Sequence, residues 1–212
     1  NYYSKFKKIS VKYIKKKFKN SSPLNQIQAI KSGLAMSKGE IVCLLDGDDK
    51  FKKNKLKEIN KFFHYNASSF VQDLIHNSKD VKQYKQVDRY FLFFKILPKF
   101  FPTSTFSIKK KELKFFFKNY NYNNLELLEI DARLYFFSKI FKKDHSLLHK
   151  NLTVYVKDQY GISSKFKRFS KEWLKKRNQA HIFLKYFFRN NKYPYKVDSL
   201  LSKLFYFLVN KF

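Results

Sequence analysis

The sequence predicts an α/β fold, a mixed β-sheet flanked by helices with a helical C-terminal extension. Three observations carry this expectation. Ile41-Val42-Cys43-Leu44-Leu45 is a short, wholly apolar, β-branched-rich run, the pattern of a strand buried on both faces, and it stops abruptly at Asp46-Gly47-Asp48-Asp49. Ahead of it, Leu24, Ile27, Ile30 and Leu34 recur at the spacing of one apolar helical face. Beyond residue 165 the chain becomes basic and aromatic, then closes on the apolar segment Leu200–Val209.

Each element has its local reason. Ser10–Ile14 reads as an edge strand. Ser22 and Pro23 form a helix start, with Ser22 as N-cap and Pro23 at the first helical position, so a helix is expected over roughly 23–37, with Gly39 as its stop. Residues 41–45 follow as a central strand. Phe51–His64 reads as a helix with Leu56, Ile59, Phe62 and Phe63 on its apolar side. Phe70–Ile75 reads as a strand, Asp80–Tyr90 as a polar loop or lid, and Pro102–Lys110 as a Ser/Thr-rich strand. A helix is expected to begin near Asp131, anchored by Leu127, Leu128, Leu134 and Tyr135–Phe137. After a strand from Tyr155 and a turn at Gly161-Ile162-Ser163-Ser164, Phe166, Phe169 and Trp173 form one stripe of an amphipathic helix otherwise covered by lysines, Lys175 and Lys176 among them. The resulting division is residues 1–164 as the main domain and 165–212 as a basic helical extension.

Composition bounds the function. A chain of 212 residues is long enough for one α/β domain with a substantial core. A hydrophobic content of 44%, with 20% aromatics, argues against disorder. No apolar run approaches the ~18 residues a spanning helix needs. The single Cys43 lies inside an apolar run, which excludes a disulfide framework and fits a reducing compartment. The net charge is +30, and only five of the 46 basic residues are Arg. Such a surface attracts anionic membranes, phosphorylated sugars or nucleic acid. No RRM, KH, zinc-finger or helix-turn-helix pattern accompanies the charge, and Arg, the preferred base reader, is scarce.

The acidic groups carry the chemistry. In open α/β sheets ligands bind beyond the carboxyl ends of strands, which is where Asp46 and Asp48 stand. Two carboxylates separated by Gly47, which lets the chain turn sharply, can converge on a divalent cation that holds a diphosphate. The structural alternative is a polar turn whose Asp caps the next helix. His145 and His149 are four apart and could share a helix face, but no carboxylate completes a zinc motif there.

Three blocks, Ala29-Ile30-Lys31-Ser32-Gly33-Leu34, Ser37-Lys38-Gly39-Glu40-Ile41 and Leu44-Leu45-Asp46-Gly47-Asp48-Asp49, resemble the central part of family 2 glycosyltransferases, over roughly residues 21–56. Lys31 stands where that family commonly has Asn, and Ser37 where it has Ala. The resemblance implies a GT-A-like, Rossmann-related fold. It also implies a chain that is N-terminally incomplete, because the family's opening strand and acidic base-binding loop have no counterpart after Asn1. Asp46, Gly47, Asp48 and Asp49 are then the nucleotide-sugar-binding residues, with Asp48, aided by Asp46, holding Mg²⁺ or Mn²⁺. Pro102-Thr103-Ser104 resembles the family's acceptor-side strand, assigning Thr103 and Ser104 to the acceptor. Asp131, followed by Arg133-Leu134, matches the family's catalytic base at a helix start, where an N-terminus would keep it ionised; Glu129 is the alternate. The residue-level alternatives are that Asp131 caps its helix or pairs with Arg133.

The expected function is transfer of a sugar from a nucleotide-sugar donor to a glycan or lipid-linked saccharide of the cell envelope, metal-dependent and inverting. The expected location is cytoplasmic, peripheral at the inner face of the cytoplasmic membrane, with no nucleic-acid partner. The rival readings are an inactive membrane-surface or glycan-binding remnant of such an enzyme, and a basic nucleic-acid-binding protein.

Overall fold

The computed structural model describes residues 21–76, 89–91, 93–98, 100–120, 124–156, 166–188 and 192–211. The expected edge strand at Ser10–Ile14, nearly all of the 80–90 lid and the 161–164 turn lie outside the described residues.

The first helix, α1 (Ser22–Met36), forms where the apolar spacing places it, with Pro23, Ile27 and Leu34 buried. Ser21 rather than Ser22 is its N-cap, and the helix stops at Ser37, ahead of Gly39. Ser37 supplies the stop: its N–H donates to the Gly33 carbonyl at 2.9 Å and its Oγ to the Leu34 carbonyl at 2.9 Å. The apolar run that follows yields only a three-residue strand, β1 (Ile41–Cys43). Then come β2 (Lys50–Phe51), α2 (Lys55–Tyr65), β3 (Phe70–His76) and a hairpin of β4 (Arg89–Phe91) with β5 (Phe94–Ile96).

A 3-10 turn at Thr103–Thr105 leads into β6 (Phe106–Lys109) and α3 (Lys110–Asn119). Next is α4 (Ile130–Tyr135), continued by a π-helical turn over Phe136–Phe141. β7 (Ser146–Val154), α5 (Lys171–Lys185) and α6 (Lys196–Lys211) complete the order.

Five strands form a mixed sheet in the order β1-β6-β3-β7-β2. β3 and β7 are parallel; the other pairs are antiparallel. A mixed sheet flanked by helices is what the sequence predicts. Two expectations about β1 fail. Among the described strands it is an edge strand, paired only with β6, and all three of its residues are half-buried. The central positions go instead to β6 and β3, whose Phe106, Ile108, Phe70 and Val71 are fully buried.

The core lies between this sheet and helices α1, α3, α4 and α5. Phe137 sits at its centre, edge-on to Phe70 at 5.6 Å and to Phe116 at 5.1 Å between ring centroids. Such aromatic pairs contribute about 0.5–1.5 kcal/mol beyond their buried area. Phe183 and Leu184 of α5 belong to the same cluster.

Four further expectations are corrected by packing. Phe51 belongs to β2, not to the following helix, and Leu56 is exposed while Lys55 takes the buried position. Only Phe106–Lys109 of the Pro102–Lys110 segment is strand; Thr103–Thr105 is a 3-10 turn and Lys110 opens α3. Phe166 and Phe169 precede α5, whose N-cap is Ser170, so the Phe166–Phe169–Trp173 stripe is not a helix face. The face that packs is Leu174, Ala180, Phe183 and Leu184. His145 precedes β7 and His149 lies on it, neither of them on a helix. His145 meets Ser138 Oγ through Nδ1 at 2.7 Å, and burial pushes its pKa down to about 4.

The tail is an inverted amphipathic helix. The residues α6 buries are Asp198, Ser199 and Ser202. Val197, Leu200, Leu204, Phe207 and Leu208 are exposed. Polar anchoring explains the inversion. Asp198 binds Arg177 of α5 through both carboxylate oxygens and accepts the Leu97 N–H at 2.9 Å. Ser202 Oγ receives Arg177 Nε at 3.0 Å. No helix among the described residues is long and apolar enough to cross a membrane.

Candidate active site

Two acidic segments far apart in sequence make up the candidate site. The first is the loop after β1. It turns tightly, closed by the Asp49 N–H donating to the Asp46 carbonyl at 3.2 Å. Gly47 keeps a negative φ, and a Cβ there would meet nothing within 4 Å, so the turn does not require glycine. Three neighbours hold Asp46. Its backbone N–H donates to Ser104 Oγ at 2.9 Å, and its Oδ1 accepts Gln26 Nε2 of α1 at 2.6 Å. Gln26 also reaches Thr103 Oγ1 at 3.3 Å. Burial raises the pKa of Asp46, an effect that the Gln26 hydrogen bond opposes and the charges of Asp49 and Asp48 reinforce. Asp48 is exposed, whereas buried Asp49 accepts the Val156 N–H at 2.9 Å.

These engagements bear on the expected cation. Among the described residues no group of three or more His, Cys, Asp or Glu side chains comes together as a metal site. That finding overturns the expectation of Mg²⁺ or Mn²⁺ held by Asp48 and Asp46. The physical reason is visible in the loop: Asp46 turns to Gln26, Asp49 turns to the backbone after β7, and Asp48 stands out in solvent.

The second segment is the start of α4. Glu129 is its N-cap residue without a side-chain capping bond, and Asp131 lies in its first turn. Asp131 Oδ1 accepts the N–H of its neighbour Ala132 at 2.6 Å. Arg133 is not its partner. The buried guanidinium donates to the carbonyls of Leu128 at 3.0 Å and Leu125 at 2.5 Å, bracing the loop that delivers the two acids. Glu129 is 8% exposed, and its Oε2 meets Lys176 Nζ of α5 at 2.5 Å. Its other oxygen, Oε1, is buried without a hydrogen-bond partner.

The ionised state expected for Asp131 is reversed. Burial, then the charge of Glu129, push its pKa up to about 8, against the opposing pull of Lys176. A short helix start does not offset removing a second carboxylate from water beside the first. Asp46 adds, as the smallest of these influences, to the same upward push.

Thr103 and Ser104 are buried against the Asp46 loop. Beneath them lies a group that sequence reasoning missed. Lys55 Nζ, fully buried, contacts Asp73 Oδ1 at 2.6 Å, the Ser104 carbonyl at 2.7 Å and Thr153 Oγ1 at 2.7 Å. Gln26 and Lys176 were missed as well. The available signal for Gln26 was its place beside Ile27 on the buried side of α1; for Lys176 there was none among so many lysines.

Residues 3–141 match the model of Glycosyl transferase family 2. No curated protein matches the chain. The match spans the acidic loop, the Thr103–Ser104 turn and the start of α4. On that match, covering well over half of its length, the chain belongs to glycosyl transferase family 2.

Proposed function

We propose that the chain transfers a glycosyl group from a nucleotide sugar to a hydroxyl of a glycan or lipid-linked saccharide. The donor lies against the Asp46–Asp49 loop. The acceptor approaches over Thr103 and Ser104, and the Glu129–Asp131 pair receives the proton of the attacking hydroxyl. As that O–H bond breaks, the acceptor oxygen bonds to the anomeric carbon. The bond from this carbon to the nucleoside diphosphate breaks on the opposite face, which inverts the centre. The observation that carries the reading is the family match over residues 3–141, which includes the Asp46–Asp49 loop, Thr103, Ser104 and the Glu129–Asp131 pair. A carboxyl pushed up to about 8 is a stronger base than an ordinary carboxylate once ionised, and its ionised fraction rises with pH.

The test is donor binding and turnover over a panel of nucleotide sugars. Asp46→Asn weakens donor binding. Asp131→Asn binds donor as the wild type does and loses ~10²-fold or more in turnover, the lower end expected for a lost general base. The wild-type rate climbs with pH to a plateau above about 8. Absence of binding across the panel, or full turnover by Asp131→Asn, refutes the proposal.

Peripheral contact with an anionic membrane is the second part of this reading. It is supported by the outward apolar face of α6, bordered by Lys196, Lys203 and Lys211, on a chain of net charge +30.

A further inference from the structure

We propose that Lys176 is a positioning residue of the candidate active site. Its ammonium fixes one oxygen of Glu129, leaves the other without a partner, and sets how tightly the Glu129–Asp131 pair holds its proton. Lys176 lies on α5, beyond the matched residues 3–141. The helix that follows the family domain therefore supplies part of the site's charge. This inference rests on the reading of Glu129 and Asp131 as the proton-accepting pair.

The geometry gives the reason. Glu129 is held by Lys176 at 2.5 Å in a nearly dry environment. Two carboxylates facing one ammonium would leave a buried net negative charge, which is costly; a single proton on the pair makes the group neutral. The ammonium of Lys176 beside Glu129 offsets part of that negative charge and so loosens the pair's hold on its proton. The buried, unpartnered Oε1 of Glu129 is the acceptor such an arrangement leaves open.

The other charges around the pair do not replace Lys176. Asp46, from the loop after β1, is negative and adds to the repulsion. Lys175 is engaged with Glu126 at the surface, at 2.6 Å. Arg133 is turned onto the Leu125 and Leu128 carbonyls. Lys176 itself is anchored on its far side, its Nζ lying 4.8 Å from the centre of the Phe166 ring.

The test is carboxyl carbon NMR titration of the whole chain, with the Asp131 resonance assigned from Asp131→Asn. Lys176→Gln is expected to move the Asp131 midpoint up by about one pH unit or more, the effect of losing a nearby opposite charge. Lys176→Arg, which keeps the charge, titrates like the wild type. An unchanged midpoint in Lys176→Gln overturns the proposal. Should Lys176→Gln fail to fold, Glu129→Gln replaces it: losing the like charge lowers the Asp131 midpoint, and an unchanged midpoint there overturns the proposal equally. The titration needs neither donor nor acceptor. Inactivity of every variant and of the wild type would count against glycosyl transfer, while the inference about Lys176 stands or falls on the midpoints alone.

Discussion

Replacing Lys55 by Met should be among the most damaging single changes in this protein. Lys55 and Asp73 are both fully buried, and their contact at 2.6 Å is one of three that the ammonium makes. The Phe51 ring lies on another side, 4.1 Å from Nζ to its centroid. Burial lowers the Lys55 pKa and raises that of Asp73, and each charge opposes the shift of the other. The pair therefore exists because each partner offsets the other's desolvation, and removing Lys55 leaves a buried carboxyl without its cation.

Breaking such a pair costs about 3–5 kcal/mol. At roughly 2–4 °C per kcal/mol for a chain of this size, the melting temperature should fall by ~6–20 °C. The double variant Lys55→Met/Asp73→Leu should recover much of that loss, because replacing a buried ion pair by apolar groups is often neutral.

The pH dependence has a definite sign. In Lys55→Met, Asp73 loses the cation that opposed its burial, so its folded pKa rises further above the ordinary carboxylate value. The folded state then binds more protons than the unfolded one, and stability falls as pH rises from acid toward neutral. Thermal unfolding of the wild type and both variants at pH 5 and pH 8 measures this. A loss under ~1 kcal/mol in the single variant, or a gap from wild type no wider at pH 8 than at pH 5, would refute the account of a mutually compensated pair.

Two other expectations concern the C-terminal helices. Although burial alone would raise the pKa of Asp198, contacts with His181 and Arg177 hold it down to about 2. His181 Nε2 stands 3.4 Å away, an ion-pair distance rather than a well-formed hydrogen bond. The depressed value means that the Asp198 contribution is complete above the ordinary carboxylate range and is lost as pH falls through about 2. Asp198→Asn should accelerate amide exchange across Lys196–Lys211, and unchanged protection there would contradict its anchoring role. For the membrane contact, the chain should bind vesicles of anionic lipid and release them as salt rises, each Lys near the surface contributing about 1 kcal/mol. Leu204→Glu/Phe207→Glu should abolish binding; retention of binding by that variant removes α6 as the contact.

The sequence made legible what periodicity and short-range chemistry decide. The apolar spacing of α1 located it to within a residue or so of Ser22–Met36, and Phe70–Ile75 became β3. Glu129 and Asp131 do open a helix. What failed depended on partners distant in sequence. An apolar run cannot say which strands flank it, so β1 was expected at the centre and lies at the edge of the described sheet. Helical spacing cannot reveal that Ser170 caps α5 and leaves Phe166 and Phe169 outside it. Asp46 looked like a cation ligand because neither Gln26 nor Ser104, its actual neighbours, lies close to it in the chain.

Lysine is the residue whose role was hardest to read, and scarcity explains where the information lies instead. Forty-six basic residues share the chain with only 16 acidic ones. Most lysines must therefore remain solvated without a partner, and a pattern of lysines carries little weight. An acid in such a chain meets a cation easily, so an acid kept away from one is the informative case. Asp73, Glu129 and Asp198 have each drawn a base inward: Lys55, Lys176 and Arg177. Among the described residues Asp46, Asp48, Asp49 and Asp131 form no ion pair, although the surface around them is crowded with lysines. Three of these four acids are nevertheless held in place. Polar neighbours that are not cations achieve it here, Gln26 for Asp46, the Val156 N–H for Asp49 and the Ala132 N–H for Asp131. Neutral donors thus hold Asp46, Asp49 and Asp131, while Lys176 is the cation that meets Glu129 beside them, and the Asp131 carboxyl stays poised near the pH at which a proton can leave or arrive.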